Sequence, residues 1–255
     1  MSPRAHLQQA AFLTALLVLW ELASRFGPWP HHLFPGPGAV AQSLWRMIQD
    51  GRLGAAVTRS LSRLAQGYAL SACIGVPLGV TIARSRQVKV AIRPLVLGLQ
   101  ALPSICWLPL AVLWFGLSEW AILFVVVMGS LLAITISTED GVSAIDPLVL
   151  RAAGTLGITG ARFYGGVLVP AALPGIVTGL KLGWSFAWRA LMAGELLFVA
   201  GGLGQLLANG RELLDVPQVM AVMVAIVFIG SAVDQVVFHL AEVRVRRRWG
   251  LSEAT

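Results

Sequence analysis

The sequence predicts an all-α, polytopic membrane protein with six transmembrane helices, and three observations lead there. Of its 255 residues 57% are hydrophobic and only 12% charged, with a mean hydropathy of +0.78. A soluble domain carries roughly 25% charged residues, so lipid must be part of the solvent that covers this surface. The apolar residues gather in six stretches close to the ~20 residues that a spanning helix needs: about 7–24, 62–83, 92–115, 120–138, 171–198 and 218–240. Most of the 19 lysines and arginines lie between those stretches, so the net charge of +7 reads as a topology signal rather than a nucleic-acid footprint.

The first stretch, Arg4 followed by Ala10–Ala23, has the outline of a signal peptide, but no A-x-A site follows it, and an uncleaved first span is expected. The segment 27–59 opens with Pro28, Pro30, Pro35 and Pro37 and then reads as a short amphipathic helix from about Ala39 to Ile48. The second and fourth spans, Leu64 to Ala83 and Trp120 to Thr138, are clear. The third contains Pro103 and Pro109, and the fifth begins at Pro170 and Pro174. A proline frees a backbone carbonyl, so both helices should be kinked or broken and buried against partners. Segment 139–169 carries a helix-like stretch from Pro147 to Tyr164; segment 201–217 starts with Gly201, Gly202 and Gly204 and runs into a short helix.

Orientation follows from the cations. With the N-terminus cytoplasmic, the cytoplasmic segments hold eleven lysines and arginines, including Arg84, Arg86, Lys89, Arg93, Arg151, Arg162 and the cluster from Arg244 to Arg248, against five outside. Both termini are therefore expected in the cytoplasm. The basic cluster reads as a stop signal facing anionic lipid, with contact to a cytoplasmic partner as the alternative. Trp107, Trp114 and Trp120 read as interfacial anchors.

Several function classes are excluded. Cys73 and Cys106 lie in apolar segments without CxxC or His-rich context, so neither a disulfide nor a metal site is expected. No Gly-Lys-Ser/Thr occurs, so no nucleotide is hydrolysed by this chain. Ser185 lies in Gly-Trp-Ser-Phe, without the second glycine of an intramembrane serine protease. Asp140-Gly141 is followed only by Asp146, too few aspartates for a phosphatidyl-alcohol transferase.

The fifth span holds unexpected charge. A charged side chain at mid-bilayer costs ~2.5–3.5 kcal/mol, so such residues face protein or a water-filled path. Counting 100° per residue from Lys181 puts Trp184, Trp188 and Glu195 within about 60° of it on one stripe, with Arg189 off by roughly 80–120°. Two readings stand: these residues pair with neighbouring helices or snorkel, or Lys181, Trp184, Trp188, Arg189 and Glu195 line a translocation path. Lys181 and Glu195 are ~21 Å apart along the helix and cannot pair with each other. Glu195, near the outer end, is expected to meet a cation of a second subunit.

The decisive segment reads Arg151-Ala152-Ala153-Gly154-Thr155-Leu156-Gly157, then nine residues, then Val167-Leu168-Val169-Pro170. Ala152, Ala153 and Gly157 are small enough for a short helix to press into a groove on another protein, and Gly157 can end that helix. This resembles the EAA signature of permeases in binding-protein-dependent ABC importers, Glu-Ala-Ala, three residues, Gly, nine residues, Ile-x-Leu-Pro, with the spacing matched throughout. Arg151 stands where the family often has Glu. The resemblance runs from about Leu33 to Trp249 and looks like the nitrate/sulfonate/taurine branch. Its further pieces are Leu33-Phe34-Pro35-Gly36-Pro37, Ser60-Leu61-x-Arg63-x-x-x-Gly67, Gly75-Val76-Pro77-Leu78-Gly79, Trp114-Phe115-Gly116, Pro170-Ala171-Ala172-Leu173-Pro174 and Gly194-Glu195.

The resemblance implies one permease domain over residues 1–255, in the bacterial inner membrane, with a cytoplasmic coupling segment at about 148–165 that includes Arg151, Ala152, Ala153, Gly157 and Arg162. It implies a homodimer with a second permease copy, two cytoplasmic ATPase subunits that bind the ATP and Mg, and an extracytoplasmic solute-binding protein. No cofactor is expected in this chain, nor any nucleic acid. Alternating access would import a small solute, and the membrane-depth cations favour an anion such as a sulfonate, taurine or nitrate. The alternative is an ATPase-independent secondary transporter or membrane scaffold, distinguishable by whether a neighbouring reading frame encodes a Walker-type ATPase.

Overall fold

A computed structural model describes residues 3–30, 32–197 and 201–248. Every element among them is helical. In chain order these are α1 (Pro3–Phe26), α2 (Pro37–Gln49), α3 (Arg52–Arg84), α4 (Arg86–Gln100), a 3₁₀ turn (Ser104–Trp107), α5 (Leu108–Phe115), α6 (Glu119–Ser143), α7 (Pro147–Thr155) and α8 (Gly160–Phe163). A π turn (Tyr164–Leu168), α9 (Val169–Leu197), α10 (Leu203–Glu212), α11 (Val216–Val233), a second π turn (Asp234–His239) and α12 (Leu240–Arg248) complete it. Five helical stretches are long and apolar enough to cross a membrane, and the bent pair Arg86–Gln100 plus Ser104–Phe115 makes a sixth if counted as one span. The side chains of Arg246, Arg247 and Arg248, and Thr255, lie outside the described residues.

The prolines act differently in the two interrupted spans. The third span turns by 99° between Gln100, the end of α4, and Ser104, where Pro103 caps the 3₁₀ turn and disfavours helical backbone at the residue before it. The fifth does not break at Pro170 or Pro174. Helix α9 runs through Pro174, and the irregularity falls earlier, in the π turn at Tyr164–Leu168 that joins α8 to α9. A widened turn absorbs a missing hydrogen bond without ending the helix.

The chain forms two compact units, residues 1–59 with 201–228 and residues 60–200 with 229–255. In the first, Pro37 occupies the opening turn of α2 after an extended Gly36, where its lost N–H costs nothing. Val40 and Met47, seven residues apart on one face, bury against Ala221 and Val222 of α11. Trp20 of α1 joins that cluster and donates from Nε1 to Pro35 O at 3.1 Å. Gln218 Nε2 donates to Leu206 O at 3.0 Å and ties α11 to α10.

The second unit is built around α6, and small residues let its helices approach. On α3, Gly67, Gly75 and Gly79 face Val126, Ile134 and Thr135 of α6; between them Ser130 Oγ donates to Ser71 Oγ at 2.7 Å. On α9, Gly175, Gly179 and Gly183 repeat every fourth residue against Gly141, Ser137 and Ile134. Within lipid, helices associate by close packing rather than by hydrophobic transfer, and small residues at i, i+4 permit it. Trp114 and Trp120 are exposed, as interfacial anchors would be, whereas Trp107 packs against the core beside Leu108 and Ala121.

Candidate functional site

The segment between α6 and α9 is held at both ends by its own sequence. Asp146 caps α7, its Oδ1 accepting from Leu148 N at 2.7 Å, and Pro147 takes the first helical position. At the other end Ile158 N donates to Ala153 O and Gly157 N to Gly154 O, both at 3.0 Å, with Gly157 at φ +68°. This is the 6→1 and 5→2 pattern of a Schellman motif, which a glycine satisfies without a Cβ penalty. Gly157 thus ends the helix as its position in the sequence suggested.

The helix has two faces. Leu150 and Phe163 pack on Val142, Ile145, Leu168, Ala172 and Ile176, so the segment is rooted in the ends of α6 and α9. Ala153 is buried on that inner side, while Arg151, Ala152 and Arg162 are exposed together with Leu148, Val149 and Leu156. Of the alanine pair, only Ala152 is therefore presented outward. Arg84, at the end of α3, lies over the Phe163 ring at 5.2 Å.

One turn before this segment, a carboxylate is almost fully buried. Glu139 meets Lys89 Nζ and Arg93 Nε, each at 2.7 Å, and Arg93 Nη2 also reaches Asp140 Oδ1 at 3.5 Å. The sequence reading counted Lys89 and Arg93 only as topology residues. Acids at the end of a span opposite a basic loop were the available signal.

The charged residues of α9 separate into three environments. Lys181 Nζ lies 3.5 Å from Glu242 and 3.8 Å from Asp234, while Trp184 packs on Phe238 and stacks at 15° on Trp188, which covers Gly230. The stripe from Lys181 to Trp188 therefore faces the last span of its own chain. Glu195 is not with them. It is fully buried and accepts from Ser60 Oγ at 2.7 and 2.9 Å and from Arg63 Nη1 at 3.0 Å, and Arg63 Nη2 also bonds Glu119 at 2.7 Å. The expectation of a partner cation from a second subunit is corrected: the cation is Arg63 of the same chain, because α3 brings it to the level of Glu195.

Arg189 stands apart. Its Nε donates to Ser185 O at 3.0 Å and its guanidinium lies over the Phe186 ring at 4.8 Å. It borders a cavity of about 250 Å³ at the bend of the third span, also lined by Gln100, Leu102, Pro103, Ser104 and Met128. Gly129 of α6 forms part of the wall; a Cβ there would stand 2.9 Å from Ala190 and 3.5 Å from Ser104.

Residues 75–249 match the family model described as "Binding-protein-dependent transport system inner membrane component". Among curated relatives, a protein named as an aliphatic sulfonates transport permease, SsuC of Escherichia coli, is 30% identical over 94% of this chain and 92% of its own length. The taurine transport system permease protein TauC of Escherichia coli is 28% identical over 92% of this chain and 84% of its own. A chain of the MetNI methionine ABC transporter in an inward-facing conformation superposes with a TM-score of 0.66 at 20% identity, covering 80% of this chain and 97% of its own, and shows the shared fold.

Proposed function

The chain belongs to the family of binding-protein-dependent transport system inner membrane components, and from that premise we propose how it works as the permease subunit of an ATP-driven importer. Two copies form the membrane channel as a homodimer, each a single permease domain. Each copy docks one ATPase, which supplies the ATP and Mg chemistry, and a solute-binding protein delivers from outside. Both termini lie in the cytoplasm, as the cation distribution favours.

The observation that carries this reading is the two-faced α7 segment. Its inner side is packed into the ends of α6 and α9, and its outer side offers Arg151, Ala152, Leu148 and Leu156 to a partner. A push on that surface must move α6 and α9 together, because packed interfaces shift as bodies rather than deform. Closure of the ATPases would then rock the helices around the path, with Arg189 facing it and the pairs of Lys181 and Glu195 holding α9 to its neighbours. The solute is a small anion of the sulfonate, taurine or nitrate type, as the names of the relatives suggest.

The test uses Gly157. At φ +68° any residue with a Cβ is strained, Asn least, while the space beside the glycine is open within the chain. Gly157→Asn should keep coupling close to normal, whereas Gly157→Asp should abolish uptake and stimulation of the ATPase while the permease still inserts. Equal ATPase stimulation by the Asp variant and the natural protein would remove the coupling role of this segment.

A further inference from the structure

We propose that the cavity at the bend of the third span is a binding subsite for the transported anion, with Arg189, and not Lys181, as the cation that recognises it. The inference rests on the permease reading and adds to it a place and a chemistry of recognition.

Ion pairing separates Arg189 from four other cations of the unit built around α6. Arg63, Lys89, Arg93 and Lys181 each have a carboxylate at 3.5 Å or closer. Among the described residues Arg189 has none: Nε is used by Ser185 O, one face rests on Phe186, and no hydrogen bond among those residues occupies the two terminal nitrogens. A guanidinium presents those nitrogens as a planar fork that matches two oxygens of a sulfonate, nitrate or carboxylate. Lys181 offers nothing comparable, because Asp234 and Glu242 already balance its charge.

The cavity supplies what a bare cation lacks. The 99° bend at Pro103 opens a space of about 250 Å³ where a straight helix would fill it. Gln100 and Ser104 also line it, with an amide and a hydroxyl, each able to donate. Leu102, Met128 and Leu132 make the remaining wall apolar, which strengthens the field of one cation. Pockets for drug-sized ligands begin near 300 Å³, so this one suits a smaller anion, held by few groups and hence released readily.

The experiment reads the cavity directly and needs neither the ATPase nor the natural solute. In the full-length chain with Cys73→Ser and Cys106→Ser, Ser104→Cys places a thiol at the cavity. The probes are sulfonatoethyl methanethiosulfonate, itself a small alkanesulfonate, and its trimethylammonium analogue. The introduced thiolate attacks the sulfenyl sulfur, a disulfide forms and methanesulfinate leaves. Labelling by the sulfonate should be faster by about tenfold, the lower end of what a charged cleft concentrates. That preference should vanish in Arg189→Gln and persist in Lys181→Met, which removes an equal charge from the same helix. Butanesulfonate should slow the labelling in vesicles of phosphatidylcholine alone. Equal rates for the two probes, no labelling by either, or a preference that survives Arg189→Gln would overturn the proposal. Protection by phosphatidylglycerol but not by butanesulfonate would assign the site to a lipid headgroup and overturn it as a solute subsite. Loss of coupling at Gly157 is read separately, so failure here leaves the permease reading standing.

Discussion

Arg63 on α3 and Glu195 on α9 meet through Nη1 and Oε1 at 3.0 Å, with their side chains 4% and 0% exposed. Ser60 bonds the same carboxylate and Glu119 the same guanidinium, so three spanning helices are joined at one point. A pair in such surroundings costs a great deal to half-remove, since the remaining charge is left without its partner.

Replacing one member should therefore be worse than replacing both. Glu195→Leu and Arg63→Met should each destabilise the protein by about 3–5 kcal/mol. The double variant should cost less than their sum. Thermal unfolding of the purified protein in detergent measures this; strictly additive losses would mean that the two residues are not coupled.

The crossing of α6 and α9 should depend on Gly175. A Cβ there would stand 2.5 Å from the Gly141 Cα, a backbone atom that cannot step aside, whereas Gly98 on α4 has nothing within 4 Å. Gly175→Ala should lower assembly and thermal stability. Gly98→Ala should leave stability unchanged or raise it by about 0.5–1 kcal/mol, the helix-interior cost of a glycine. Similar behaviour of the two variants would show that the helices do not cross as closely as described.

Arg151 is exposed on the outward side of α7. Arg151→Glu should therefore change the stability of the chain by no more than about 0.5 kcal/mol. A change in ATPase stimulation on top of unchanged stability would place this side chain at the docking surface; unaltered stimulation would make the position indifferent to charge.

Topology can be read with reporter fusions. Fusions after Gly51 and Gly210 should report the outside and one at Thr255 the inside. An outside signal at Thr255 would reverse the orientation drawn from the eleven-to-five distribution of cations.

Much of the fold was legible because its causes are local. A run of ~20 apolar residues specifies a span by length alone. Pro103 disfavours helical backbone at the residue before it, and the spacing from Ala152 to Gly157 sets a helix and its glycine stop within two turns. Helix α2 was legible for the same reason, differing from its expected start at Ala39 by two residues because Pro37 is favoured in a first turn. Of the two outcomes expected for the fifth span, a kink or a break, the break does not occur, and the reason is not local: whether Pro170 breaks a helix or is absorbed by a π turn depends on what packs around it.

What the sequence by itself determined, then, is that the chain is helical, where its long apolar stretches lie and where the short helix α7 starts and stops, since hydropathy, proline and glycine act over one or two turns. The tertiary structure alone decided which charges are satisfied. Lys181, Arg189 and Glu195 share one helix and look equivalent along it, yet Lys181 meets Asp234 and Glu242, Glu195 meets Arg63, and Arg189 borders a cavity. Their partners lie 53 to 132 residues away, and the energy of a buried charge is set by the few ångströms around it, which only packing brings together.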